Sequence, residues 1–208
     1  MKQINQYITE YIIKKKLDKP INSEDNYKYF PETKQELIDN VKELFNKGET
    51  NLNCIYTSEI TDMCRLFESY ENINFDISGW DVSNVKDMSY MFFGCKLFDC
   101  DLSGWSVYNV ENMCVMFGGC HNFEGKGLEN WDVSNVTDMR SMFENCENLN
   151  CNLSNWDVRN VKDMNYMFYK CKKFNCNLSK WDVSKVKDMN YTFDDCTSLK
   201  NKPSWYEE

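Results

Sequence analysis

From residue 51 onward, two spacings of apolar positions alternate along the chain and then repeat. In the stretch 76–100, Trp80 and Val82 alternate with Asp81 and Ser83. That period of two predicts a short strand with one face inward. Met88, Met91, Phe92 and Cys95 follow at steps of 3, 1 and 3, which places them on one face of a short helix. Asp87 stands immediately before Met88, where its carboxylate can accept the free backbone N–H groups of a helix start. The same Asp returns at 62, 138, 163 and 188, with Asn112 in its place once. Each interval therefore predicts a strand, a turn, a short helix and a return.

The interval itself is firm. Trp occurs at 80, 105, 131, 156, 181 and 205, at steps of 25, 26, 25, 25 and 24. Cys95, Cys120, Cys146, Cys171 and Cys196 keep the same beat, as do Phe92, Phe117, Phe143, Phe168 and Phe193. Every Met after Met1 falls in one of two columns, Met63, Met88, Met113, Met139, Met164 and Met189 or Met91, Met116, Met142 and Met167. A unit of this kind cannot bury its apolar face alone, so neighbouring units must stack. The array occupies 51–208, with full units at about 76–100, 101–126, 127–151, 152–176 and 177–201 and partial units at 51–75 and 202–208.

Residues 1–50 follow another pattern. Ile4, Tyr7, Ile8, Tyr11 and Ile12 form an amphipathic stripe. Thr33 and Glu36 form a capping box ahead of Leu37, Val41, Leu44 and Phe45 on one face, with Gly48 as terminator. This reads as an N-terminal helical cap over the first coil, with a separate partner-binding helix pair as the alternative.

The run W-D-V-S-N-V-x-D-M-x-x-M-F-x-x-C, nearly intact at 80–95, 131–146 and 156–171, resembles the BspA-like leucine-rich repeat surface proteins of bacteria. The resemblance implies an α/β repeat, a leucine-rich-repeat-like solenoid of short strands and short helices. It also implies a role in adhesion or protein–protein contact, often at the cell surface, and brings no catalytic residues.

Charge narrows the partners. The net charge of -9 falls entirely in 51–208, because residues 1–50 carry nine Lys against nine acidic residues. An acidic surface without a Lys/Arg stripe disfavours nucleic acid and suits a basic or neutral protein partner. No segment is apolar for long enough to span a membrane, and the N-terminus lacks the apolar run and cleavage site of a signal peptide. A cytoplasmic location is expected on that ground, against the cell surface implied by the resemblance.

The chemistry-bearing residues each have a structural reading and a functional one. The eleven cysteines read as a reduced ladder of small buried groups rather than a disulfide framework. Cys95 with Cys100, Cys146 with Cys151 and Cys171 with Cys176 are spaced too widely for the usual zinc pair. Asp81, Asp132, Asp157 and Asp182 form an acidic column that Asx-type turns would tie to the backbone, with a calcium site as the alternative. His121 is the single histidine and has no nucleophile motif around it. No enzyme, metal or cofactor is expected; a Ca²⁺ or Zn²⁺ protein, or an enzyme hidden in the acidic face, is the rival.

Binding is expected where the outward columns depart from the repeat. Tyr108 and Arg159 replace Ser in the column Ser83, Tyr108, Ser134, Arg159, Ser184, and both are residue types that dominate binding hot spots. The candidate site is therefore Tyr108 and Arg159 with Asp81, Asp132, Asp157 and Asp182. A monomer is favoured, with Lys202 and Pro203 protecting the last unit from edge pairing.

Overall fold

The computed structural model describes residues 27–206, and the apolar stripe from Ile4 to Ile12 lies outside them. Within 50–206 the chain winds in coils stacked at the interval of the repeat. Parallel bridges join Asp62 to Asp87, Asp87 to Asn112, Asn112 to Asp138, Asp138 to Asp163 and Asp163 to Asp188. Equivalent residues of consecutive coils are thus in register.

The expected α/β architecture does not form. Among the described residues the one α-helix is Lys34–Asn46 (α1), accompanied by a 3-10 turn at Leu128–Asn130. The pairings outside these are isolated bridges, not the strands of a sheet.

The stretch expected as a strand contains two tight turns, Trp80 N–H to Ile77 C=O (3.0 Å) and Val85 N–H to Val82 C=O (2.9 Å). Trp80 and Val82 do face inward, but the turns take backbone groups that a ladder would need. The stretch expected as a helix is a string of i to i+3 turns, with Met91 N–H on Met88 C=O, Phe93 on Tyr90 and Cys95 on Phe92. Steps of 3, 1 and 3 bury the same residues in such turns as in a helix, so the spacing could not separate the two.

Stacking is what decides against the helix. The intervening N–H groups leave the coil: Met88 donates to Asn112 C=O (3.0 Å), Tyr90 to Cys114 (2.9 Å), Phe92 to Met116 (2.9 Å) and Gly94 to Gly118 (2.8 Å). A helix would consume these donors within its own coil. Turning them outward requires a left-handed residue twice per coil, and Tyr90 and Gly94 have φ of 56° and 76°. Val115 (φ 57°) occupies the first of these positions in the next coil, a conformation that β-branched residues seldom adopt. The coil-to-coil bonds hold it there.

Asp87 accordingly caps no helix. Its Oδ1 accepts from Ser89 N–H (2.7 Å) in an Asx turn, the geometry to which short polar side chains are suited.

The side-chain columns complete the stack. Phe92, Phe117, Phe143 and Phe168 lie in nearly parallel steps with centroids 5.3–5.7 Å apart. Trp105, Trp131, Trp156 and Trp181 do the same at 6.3–6.4 Å. Each Trp also donates its Nε1–H to the preceding coil, as Trp156 does to Leu128 C=O (2.8 Å). Each Cys of the main column does likewise, as Cys146 Sγ does to Phe117 C=O (3.0 Å). Both columns are packing residues whose one polar hydrogen satisfies a buried carbonyl.

Helix α1 is capped by Thr33, whose side chain accepts from Glu36 N–H, while Glu36 Oε2 accepts from Glu32 N–H (2.7 Å). Leu37, Val41 and Leu44 are buried, and Phe45 rests on Phe67, Tyr70 and Phe75. The helix thereby covers the apolar columns of the first coil.

Candidate functional site

The Asp column is committed to the backbone. Asp81, Asp132 and Asp182 each accept, at 3.0 Å, the N–H of the serine two residues on. Asp157 accepts from Arg159 N–H (3.3 Å) and also receives its guanidinium Nε (2.8 Å). Serine hydrogen bonding holds the Asp182 carboxyl below its ordinary range. These carboxylates are corner-forming groups, each engaged within its own coil.

The expected binding residues are brought into one column but not into one cluster. Tyr108 is 53% exposed, and its backbone carbonyl accepts from Asn135 Nδ2 (2.7 Å). Asn84, Asn109 and Asn160 make the same reach to the coil before them, onto Ser58, Ser83 and Ser134. Ser134 stands between Tyr108 and Arg159, and Arg159 is folded back on Asp157. The column is a rigid, hydrogen-bonded surface with two large side chains standing on it.

A second outward feature escaped the pattern reading. The left-handed position two residues after the first Met carries Arg65, Tyr90, Val115, Ser141, Tyr166 and Tyr191. Tyr166 and Tyr191 stack at 4.9 Å, with Tyr169 edge-on to Tyr166 at 5.4 Å. Arg65 lies over the Tyr90 ring at 4.0 Å, and Phe93 stands edge-on to it at 5.9 Å. Tyr191 is 52% exposed. The signal was present, as Tyr recurs at this step in three units; a helical reading gave it no reason to stand out.

The bridged Asp column, Asp62 to Asp188, avoids stacking bare charges by interleaving donors. Lys34 pairs with Asp62 (2.9 Å), Asn112 Nδ2 reaches Asp87 (3.2 Å), Arg140 binds Asp138 (2.8 Å) and Asn165 Nδ2 reaches Asp188 (3.3 Å). Burial raises the Asp163 carboxyl despite the nearby Arg140.

Residues 35–127 and 116–207 each match the model of a family described as Mycoplasma protein of unknown function, DUF285. This chain belongs to that family. No curated protein and no solved structure matches it. Membership in DUF285 ties the repeat to a family and assigns it no activity.

The chemistry of this DUF285 member's other groups is muted. All eleven cysteines are free thiols, and burial pushes Cys95 and Cys196 up to about 12 and Cys100 and Cys114 up to about 11. Such thiols stay protonated at neutral pH and make poor nucleophiles. Among the described residues no three His, Cys, Asp or Glu side chains are placed to hold a metal ion. A depression lined by Asn175, Cys176, Asn177, Ser179 and Asn201 to Ser204 offers mainly amides and hydroxyls. No helix among the described residues is long and apolar enough to cross a membrane.

Proposed function

We propose that this DUF285 member is a non-enzymatic scaffold that holds a protein partner on the outward side of its coils, in a contact or adhesion role. The observation that carries the reading is the division of labour between columns. The recurring Trp, Met, Phe and Cys side chains are spent on the interior, while the departures Tyr108 and Arg159 stand on the surface. Backbone beneath them is already fixed by coil-to-coil bonds, so a partner would meet a surface that loses little further entropy on binding. The net charge of -9 favours a basic or neutral partner. The reading names no catalytic residue and no cofactor.

A photo-crosslinking residue placed at Ser134, between Tyr108 and Arg159 in the column, tests it in cells that make this protein. Capture of one defined protein, competed by unlabelled wild type and reduced at least about tenfold by Y108S/R159S, is the expected result. Equal capture from the same probe at His121, or capture untouched by the double substitution, overturns it.

A further inference from the structure

The surface that carries the left-handed positions contains one small arrangement twice. In its first occurrence Arg65 Nη1 pairs with Glu68 Oε1 (2.6 Å), and the guanidinium lies over the Tyr90 ring at 4.0 Å. Phe93 stands edge-on to that ring at 5.9 Å. A carboxylate and an aromatic face thus hold one guanidinium across two adjacent coils. Three coils later Glu144, Tyr166 and Tyr169 take the places of Glu68, Tyr90 and Phe93, and Ser141 takes the place of Arg65. The backbones correspond. Arg65 and Ser141 have φ of 58° and 51°, and Tyr90 and Tyr166 have φ of 56° and 57°. Arg65 N–H to Ser89 C=O (3.0 Å) is matched by Ser141 N–H to Asn165 C=O (2.8 Å). Tyr169 stands edge-on to Tyr166 at 5.4 Å, as Phe93 does to Tyr90.

We infer that Glu144 and Tyr166 bind an arginine side chain of a partner protein, its guanidinium over the Tyr166 ring and paired with the Glu144 carboxylate. The chain displays the ligand chemistry itself, because Arg65 fills the equivalent place between Glu68 and Tyr90. The inference rests on the scaffold reading above and names a chemistry for the partner, but it uses residues other than Tyr108 and Arg159. Arginine fits better than lysine here, since its planar fork pairs with a carboxylate while its face stacks on an aromatic ring.

Nearby charges leave the clamp to an incoming cation. Glu144 makes no ion pair among the described residues, and its side chain accepts from Asn145 Nδ2 at 3.3 Å. Arg140, next to Ser141 in sequence, is committed to Asp138 (2.8 Å) and Asp163 (3.7 Å). The Lys170 ammonium lies over Tyr169 at 4.8 Å, so this aromatic pair already draws one cation. Partial burial first, then Tyr191, Tyr169 and Glu144, raise the Tyr166 phenol above its ordinary range, which puts the Glu144 carboxylate within electrostatic reach of the ring. Tyr191 stacks on Tyr166 at 4.9 Å from the following coil, leaving the face towards Ser141. Both coils of the clamp have described neighbours on either side, so its form does not depend on where the stack stops.

The test titrates the full chain with the blocked peptide acetyl-Gly-Arg-Gly-amide and with its citrulline counterpart, which keeps the shape and loses the charge. Backbone amide NMR shifts are the readout. The expected result is a saturable change at Ser141, Glu144 and Tyr166 at millimolar arginine peptide, and none with citrulline. E144Q should weaken binding about fivefold. S141R should abolish it, because the chain's own guanidinium then takes the clamp as Arg65 does at Tyr90. R65S should create a second site, seen as new saturable shifts at Glu68 and Tyr90. Unchanged indole N–H resonances of Trp131, Trp156 and Trp181 show that the stack is retained in each variant.

Absence of saturable shifts at Ser141, Glu144 and Tyr166 overturns the inference, as does an equal response to citrulline. Binding that persists in S141R, or an R65S variant that gains no site at Tyr90, overturns it too. Capture through Ser134 that depends on Tyr108 and Arg159 survives any of these failures and leaves the scaffold reading standing. Arginine binding at Tyr166 without such capture supports the clamp and counts against Tyr108 as the contact.

Discussion

The first and last described coils are built from the same repeat and are covered to different degrees. In the first coil, Leu52, Ile60, Met63 and Phe67 are buried, Phe45 of α1 rests on Phe67, and the backbone of Lys28 and Tyr29 bonds to Cys54 and Tyr56. In the last described coil, Val183, Val186 and Met189 remain partly exposed, and the N–H groups of Met189, Tyr191, Phe193 and Asp195 have no hydrogen-bond partner among the described residues. A repeat supplies each coil with a neighbour except the last one at either side. Closing an end therefore needs residues from outside the pattern, and at the first coil α1 and the bridge of Tyr29 to Ile55 supply them.

Substitutions should expose this asymmetry, beginning with the largest effect. L37A removes a fully buried side chain from the cap and should cost about 2–5 kcal/mol. M189A, at the partly buried Met of the last described coil, should cost well under half of that. Chemical denaturation checks both, and comparable losses would mean that the two ends are equally sealed.

Trp131 and Trp205 sharpen the comparison at a smaller scale. W131F forfeits the Nε1–H bond to Leu102 C=O, a loss of about 0.5–1.5 kcal/mol beyond the change in packing. W205F forfeits the equivalent bond to Leu178 on a half-buried ring and should cost less.

Alkaline pH probes the thiol column. The folded-state pKa of Cys95 and Cys196 is raised to about 12, so the folded state favours the protonated thiol. Their contribution is complete below the ordinary thiol value of about 8.5 and is lost as pH rises from there towards 12. Midpoint denaturant concentration should fall across that window, and C95A and C196A should flatten the fall.

The smallest effect is expected at Lys34. K34A breaks an exposed ion pair with Asp62 and should change stability by at most about 1 kcal/mol. A larger loss would show that the pair, rather than Leu37, Val41 and Leu44, fixes α1 on the first coil.

Much of the architecture was legible in the residues. The positions of Trp, Met, Phe and Cys gave the register of the coils, and Thr33 to Gly48 gave the helix and its face. Asx turns at Asp81, Asp132, Asp157 and Asp182 followed from residue type. What failed was the assignment of strand and helix within each unit, because inward-facing residues at steps of 3, 1 and 3 are shared by helices and consecutive tight turns. Tyr166 and Tyr191 were missed for the same reason, since their juxtaposition depends on left-handed backbone at both positions. Tyr108 and Arg159 were found in one column, yet the pairing of Arg159 with Asp157 depends on a corner that the sequence did not disclose.

By itself the sequence determined which residues face inward and which coil lies against which, since apolar side chains at a fixed interval have one way to share a core. Only the tertiary structure decided where the backbone hydrogen bonds go. That choice is made between coils: each forward N–H is satisfied by a carbonyl some 24 residues later, a partner that exists only once the stack has formed.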